Sequence, residues 1–308
     1  MAKEPSAPPL SDVYTKVWNV CFKLWPLFLV QLVFTILQYA VLVLCLILLL
    51  GPFIGKYSSQ IAGGLKHPNS FDWSPMATDW VGYFADPTWI AILVGLVLLY
   101  LTWWCLLSAI SDGGVFATFW GYFQSDKPFS LKEFLRDGLR YMMPMIWLQV
   151  LLFALVMAVF MVWCFIILFG VGFCVLLSGH TGIIVLFCVL LGIPLFLFWI
   201  VFALLFAVYS FVCKACLTNG LSPWEAVKEA FHRFIEKRWR LAIGLIVAFL
   251  TYIVVSLVTR MVLGVLGMVP YIGFLFTLLD FFIGIGLAIL LVVYLPGLSV
   301  ALLSERET

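Results

Sequence analysis

The sequence predicts an all-α integral membrane protein that crosses a bilayer about six times. Of its 308 residues, 65% are hydrophobic and only 10% are charged, whereas soluble domains have roughly 25% charged residues. The apolar residues form long blocks, such as 25–50 and 88–107, and a block of ~18 or more predicts a membrane-spanning helix. The blocks lack the alternation of polar and apolar residues that is typical of β-barrel strands, so helices are favoured.

Charge placement supports six spans, which we predict at 25–51, 88–110, 143–170, 182–212, 239–263 and 272–302. Three Lys or Arg residues precede the first span, four lie between the second and third, six between the fourth and fifth, and one follows the sixth. Six spans therefore place fourteen of the 17 basic residues on one side, and a third helix within 143–212 would break this pattern. Because basic loops remain cytoplasmic, we expect a multi-pass protein of the cytoplasmic (inner) membrane with both termini inside.

Three basic stretches with apolar residues at helical spacing precede the three pairs of spans. They cover 10–24, 130–142 and 222–238, and two of them start with capping boxes, Ser130-x-x-Glu133 and Ser222-x-x-Glu225. The expected apolar stripes consist of Leu10, Val13, Val17, Cys21 and Leu24; Leu131, Phe134, Leu135, Leu139 and Met142; and Trp224, Val227, Phe231, Phe234 and Ile235. Such helices are expected to lie in the cytoplasmic interface of the bilayer.

The repeated order predicts three units, each an interfacial helix followed by a helical hairpin. Pro26 and Gln31 start the first span, and Pro144 and Gln149 start the third with the same spacing. We divide the chain into a disordered N-terminus (1–9), a first unit (10–123), a second unit (124–218), a third unit (219–303) and a tail (304–308). The third unit lacks the Pro–Gln pair.

The basic residues of the second and third stretches are candidate contacts for anionic lipid headgroups. The alternative is that these helices are only elbows that join spans. The candidates are Lys132, Arg136, Arg140, Lys228, Arg233, Lys237, Arg238 and Arg240.

The order of a capped basic amphipathic helix, an aromatic and basic knee and a long apolar hairpin resembles uncharacterised polytopic membrane domains of bacteria and archaea. One such domain is fused to some glycerophosphodiester phosphodiesterases. The resemblance covers most of the chain and implies a membrane fold. It carries no active site over, because we expect the soluble phosphodiesterase domain to be absent from these residues.

Charged residues inside spans are candidates for function because burying a charge in lipid is costly. Arg260 lies near the outer end of the fifth span and Asp280 lies about eight residues into the sixth. An Arg260–Asp280 pair is predicted, either as a pin between antiparallel helices or as part of a proton or ion relay. Asp112 follows the second span, where we expect it to cap a helix over 115–123.

The outer loop 52–87 is a candidate docking surface for a partner. Its carboxylates and aromatic rings include Asp72, Trp73, Asp79, Trp80 and Asp86. The alternative is an aromatic belt that lies at the membrane interface.

We predict no metal, haem or other cofactor. None of His67, His180 and His232 is central in a span, which argues against a bis-histidine haem. Cys213 and Cys216 form a lone C-x-x-C motif, for which packing is favoured over metal binding or redox chemistry.

Three functions from different classes remain open at this point. The first is a non-enzymatic scaffold or accessory subunit of a membrane complex, with lipids and other membrane proteins or further copies of itself as partners and no nucleic acid. The second is a transporter or channel for a lipid-like or small apolar molecule, suggested by Pro194 and Pro296 within spans. The third is a lipid-modifying enzyme that uses Asp280 or Asp112, although no familiar catalytic motif is present.

Overall fold

The structure is a computed structural model that describes residues 8–66, 82, 86–178, 181–236, 238–267 and 273–304. The described residues are almost entirely helical, and no strand occurs among them. The helices are α1 (Leu10–Lys23), α2 (Pro26–Lys66), α3 (Pro87–Ser125), α4 (Leu131–Ser178), α5 (Thr181–Thr218), α6 (Pro223–Glu236), α7 (Arg238–Gly267) and α8 (Gly273–Ser304).

Six helices contain segments that are long and apolar enough to cross a membrane. These segments are Pro26–Pro52, Pro87–Ser125, Leu131–Ile166, Leu197–Thr218, Ile243–Gly264 and Phe282–Ser304. The predicted all-α class and the six apolar spans are thereby confirmed. A multi-pass membrane protein follows, because lipid cannot hydrogen-bond to backbone groups and a helix satisfies them internally.

Several helices extend beyond the spans predicted from the sequence. α2 continues through Pro52 to Lys66, so the first part of the expected outer loop is helical. α4 runs without a break through Pro144, so the expected separate interfacial helix 130–142 is instead the start of a long helix. α3 continues to Ser125, which means that Asp112 lies inside a helix and the prediction that it caps one is wrong. A long apolar helix therefore continues through a proline at both Pro52 and Pro144, because neighbouring groups can satisfy the backbone groups that a proline frees.

The chain divides into two compact units by its internal contacts. The first unit of the structure comprises Met1–Gln31 together with Ala109–Thr308, and the second comprises Leu32–Ser108. These two structural units are distinct from the three units named from the sequence. Within the second unit, the Trp103 indole donates to the Leu37 carbonyl at 3.1 Å. Most of its described side chains outside a few contacts are exposed, as expected for helices that face lipid tails.

The first unit is built around the second half of α3, from Ala109 to Trp120, which we call the α3 hub. The Trp120 indole donates to the Ala215 carbonyl of α5 at 2.8 Å. A Cβ added at Gly297 of α8 would lie 2.7 Å from the ring of Phe119. The largest buried side chains of the hub are Val115, Phe116, Phe119 and Trp120.

The three segments that were predicted to be amphipathic each contact a longer helix of the first unit. The Tyr14 hydroxyl of α1 donates to the Gly244 carbonyl of α7 at 2.7 Å. The Tyr209 hydroxyl of α5 donates to the Val227 carbonyl of α6 at 2.8 Å. In α4, Phe134 packs against Gly114 of α3. We call the surface formed by α1, the start of α4 and α6 the basic side.

Small residues form the seams between these segments and the spans. A Cβ added at Gly138 of α4 would lie 2.6 Å from the backbone oxygen of Ile110, and Ala226 and Ala230 of α6 are fully buried. None of the three was in the predicted apolar stripes. Of the stripe predicted in α4, Phe134 is buried, whereas Leu131, Leu135 and Leu139 are exposed. The larger apolar residues therefore face outward, and the small ones allow close backbone approach.

A Gly138→Ala substitution should destabilise the first unit, because the new Cβ cannot fit against the Ile110 carbonyl without moving a helix backbone. Overpacking of this kind costs roughly 1–3 kcal/mol. Thermal unfolding in a mild detergent would measure the loss as a lower midpoint. Gly95→Ala is the matched control, since a Cβ there meets nothing within 4 Å; equal midpoints for the two variants would contradict the close approach.

Candidate functional site

The predicted Arg260–Asp280 pair is not formed among the contacts of the described residues. Asp280 Oδ1 is buried and has no hydrogen-bond partner there. Arg260 is exposed, and its Nη2 would lie 3.7 Å from a Cβ added at Gly284, one turn beyond Asp280 on α8. Arg260 of α7 thus lies beside α8, one turn away from Asp280, and the two side chains form no ion pair among the described residues.

The predicted outer docking surface lies mostly outside the described residues. Asp72, Trp73, Asp79 and Trp80 are not among them. Asp86 is described, and its Oδ1 accepts a hydrogen bond from the Thr88 amide at 2.8 Å. This bond satisfies a free donor at the start of α3, as expected for an N-cap followed by proline.

The predicted lipid-contact residues differ in their surroundings. Lys132, Arg136, Arg140 and Lys228 are exposed, and the Lys228 ammonium lies 5.4 Å from the centre of the Trp224 ring. Arg136 also pairs with the neighbouring Asp137 at 3.1 Å. The other four residues are either paired or not described at the side chain.

Three of those other residues belong to the segment around the start of α7. Arg240 donates to the carbonyl of Pro8. Lys237 lies outside the described residues, and the side chain of Arg238 is not described. In α6, Arg233 Nε lies 2.6 Å from Glu229 Oε1.

The capping box predicted at Ser222 is confirmed. The Ser222 hydroxyl donates to Glu225 Oε2 at 2.7 Å, and the Ser222 amide donates to the same oxygen at 3.1 Å. These hydrogen bonds hold the pKa of Glu225 below its usual value of 4.5. α5 ends just before, where Gly220 adopts a φ of +97° that favours glycine.

An ion pair between two spans joins the α3 hub to α5. Lys214 Nζ lies 2.6 Å from Asp112 Oδ2, and the two side chains are only 18% and 20% exposed. The Lys214 ammonium also lies 5.9 Å from the centre of the Phe211 ring. Because each charge is largely removed from water, the pair acts mainly as a fixed link between α3 and α5.

A second polar link joins α2 to the α3 hub one position earlier along the chain. Gln31 Nε2 donates to Ser111 Oγ at 2.7 Å, and Ser111 Oγ donates to Gln31 Oε1 at 2.9 Å. Both residues are buried. The sequence marks Gln31 only by its repeated spacing after Pro26. The bond to Ser111 joins residues 80 positions apart, so no local pattern predicts it.

Cys213 and Cys216 are both buried in α5. No group of three or more potential metal-ligating residues occurs within the described part of the chain. In α1, burial raises the pKa of the Cys21 thiol to about 12. A thiol with so high a pKa is a poor nucleophile, and it packs as a small apolar side chain.

Two apolar grooves lie beside helices of the basic side, one next to α6 and one next to α1. The first, called the α4–α5–α6 groove, has a volume of about 590 Å³, with Leu151, Leu155, Phe202, Phe206, Tyr209 and Phe231 among its lining residues. Lys228 and Trp224 of α6 also line it. The second, called the α1–α7–α8 groove, has a volume of about 500 Å³, with Tyr14, Trp18, Val255, Leu287, Leu291 and Tyr294 among its lining residues.

An aromatic cluster continues from the α4–α5–α6 groove toward the opposite side. The ring of Trp199 lies 5.5 Å from that of Phe202, which lines the groove, and 5.5 Å from that of Trp163. The indole nitrogens of Trp163 and Trp199 are buried and have no acceptor among the described residues. The groove is therefore continuous with a wall of packed rings between α4 and α5.

The chain matches no protein-family model, no curated protein and no solved structure.

The Asp112–Lys214 pair gives a direct test of how the α3 hub is held. Asp112→Leu or Lys214→Met alone should destabilise the protein by about 3 kcal/mol, because each leaves one charge without its partner. The double variant should recover most of that loss. Thermal unfolding in detergent measures the coupling, with the exposed Lys127→Met as a control that should change little; additive losses in the double variant would contradict a direct pair.

Proposed function

We propose that the protein is a non-enzymatic membrane scaffold, or an accessory subunit of a membrane complex. The observation that carries the proposal is how the polar groups of the first unit are used. Asp112 binds Lys214, and Gln31 binds Ser111, so these buried polar side chains hold helices together. An enzyme or a relay instead needs polar groups directed at a substrate or at one another in a chain.

The surface of the spans supports binding by neighbours in the membrane. Along α4, the exposed side chains include Trp147, Phe153, Phe160, Met161 and Phe165. Aromatic residues and methionine are the side chains that are enriched where proteins bind one another. A rigid basic side that carries such helices fits a platform on which another membrane protein docks.

Purification of the full chain in a mild detergent, after crosslinking in its native membrane, tests this function. We expect the chain to co-purify at fixed stoichiometry with a second membrane protein or a second copy of itself. Replacing Phe153 and Phe160 on the exposed face of α4 by Ala should weaken that association. The matched control replaces Val254 and Leu257 on α7, which are also exposed. A chain that remains solitary after crosslinking would overturn the proposal.

A transporter or other lipid-handling role is the second candidate, and the α4–α5–α6 groove favours it. Its volume of about 590 Å³ falls within the range of about 300–1,000 Å³ that is usual for ligand sites. Its lining is almost wholly apolar, which suits a lipid tail. Transfer of fluorescent lipid between the two leaflets of reconstituted vesicles would favour this role over a scaffold.

We also propose the finer arrangement within the membrane. The three amphipathic segments lie at the cytoplasmic face of the inner membrane, each preceding one helical hairpin, and both termini are cytoplasmic. Support comes from the fourteen basic residues that six spans place on one side. Further support comes from the packing of α1, the start of α4 and α6 around one core. A threefold repeat of one basic segment followed by one helical hairpin would explain both the charge distribution and this packing.

Single cysteines introduced at Ser130 and at Ser222 test this orientation, in a variant whose native cysteines are replaced. Both positions should react with a membrane-impermeant thiol reagent only when the cytoplasmic face is open. Asp86 directly precedes α3, at the end of that helix opposite to Ser125. A cysteine at Asp86 should therefore react from outside. Labelling of Ser130 and Ser222 from opposite faces would refute the six-span arrangement.

A further inference from the structure

The α4–α5–α6 groove differs from the α1–α7–α8 groove in one respect that bears on its ligand. Both are apolar, both lie between an amphipathic helix and two spans, and their volumes are about 590 and 500 Å³. The first has Lys228 in its lining, whereas no Lys or Arg is among the described residues that line the second. An apolar cleft with one cation at its end matches a ligand with an apolar tail and a negative head.

The charge of Lys228 is not cancelled by an ion pair within the described residues. Of its acidic neighbours on α6, Glu229 is paired with Arg233 at 2.6 Å. Glu225 is held by the Ser222 hydroxyl at the start of the helix. The Lys228 ammonium lies over the Trp224 ring at 5.4 Å, and both side chains are exposed. The cation is thus positioned at the groove and remains accessible to an anion.

The shape of the groove fits a hydrocarbon chain that enters from the basic side. From Tyr209, near α6, the lining continues along α5 to Phe202, which is about 10 Å at the rise of an α-helix. On α4 the lining runs from Leu151 to Leu155. Apolar and aromatic side chains make up the rest of the described lining, so Lys228 is the one charged group there that can bind a headgroup.

We propose that the α4–α5–α6 groove binds one acyl chain of an anionic phospholipid from the basic-side leaflet, with the lipid phosphate at Lys228. Lipid tails are as apolar as leucine, so the tail alone gains little by leaving the bilayer. Selectivity therefore comes from the headgroup charge at Lys228 and from the fit of the chain between Phe202, Phe206 and Leu205. The site is independent of any partner protein and is tested on the solitary chain.

The test uses the purified full chain in nanodiscs that contain phosphatidylglycerol with a photoreactive group in its acyl chain. Mass spectrometry of the crosslinked peptides should locate the lipid at 202–209 of α5 and 151–155 of α4. Native mass spectrometry should show one lipid retained in preference to phosphatidylcholine. Lys228→Gln should reduce that preference about fivefold, since one lysine near the surface contributes a free energy of that size. Lys132→Gln, another exposed lysine on an amphipathic segment, should not change it.

A groove-filling pair of variants separates the site from general lipid contact. Leu205→Trp should suppress crosslinking to α5, whereas Val255→Trp, which fills the α1–α7–α8 groove, should leave it intact. Thermal midpoints close to that of the wild type establish that both variants fold. The proposal is overturned if crosslinks spread evenly over the lipid-facing helices. It is also overturned if Lys228→Gln binds like the wild type, or if Leu205→Trp leaves crosslinking to α5 unchanged.

Discussion

The first unit depends on close packing around the α3 hub, because four other helices (α2, α4, α5 and α8) contact this one stretch of chain. Asp112 pairs with Lys214 of α5, and Ser111 binds Gln31 of α2. Phe119 fills the space opposite Gly297 of α8. In a membrane there is little hydrophobic driving force between helices, so fit and polar links decide association. The hub supplies both: its glycines allow a close approach of neighbouring helices, and its buried polar groups bond to particular residues on them.

α6 has two apolar faces, one buried and one exposed, and they differ in the size of their side chains. In α6, Ala226 and Ala230 are buried against the spans, whereas Trp224 and Phe231 are exposed. The buried face consists of small residues and sets the distance between helices. The exposed face consists of large residues beside Lys228, and its composition suits the boundary between acyl chains and headgroups. One short helix can thereby attach to the protein and to the lipid at the same time.

Much of the fold followed from the sequence, and the particular contacts did not. Long apolar blocks predicted the six spans, and the Ser222–Glu225 spacing predicted the capping box that the structure contains. The breaks expected near Pro52 and Pro144 were wrong, because a helix in an apolar setting tolerates a proline. The link between Asp112 and Lys214 joins residues 102 positions apart, and no local pattern marks it. The small seam residues were missed because the search for a stripe selected only large apolar side chains.

The attachment of α1 has a consequence for how the chain matures. Tyr14 bonds to Gly244, and the Tyr294 hydroxyl approaches the Tyr14 carbonyl at 3.5 Å, so the beginning of the polypeptide is held by its last two helices. During synthesis, α1 is made more than two hundred residues before the helices that hold Tyr14. Until α7 and α8 are in place, these contacts of α1 cannot form. A ribosome that stalls before α8 would release a product whose first helix is still unburied, which gives quality-control proteases a simple mark of an unfinished chain.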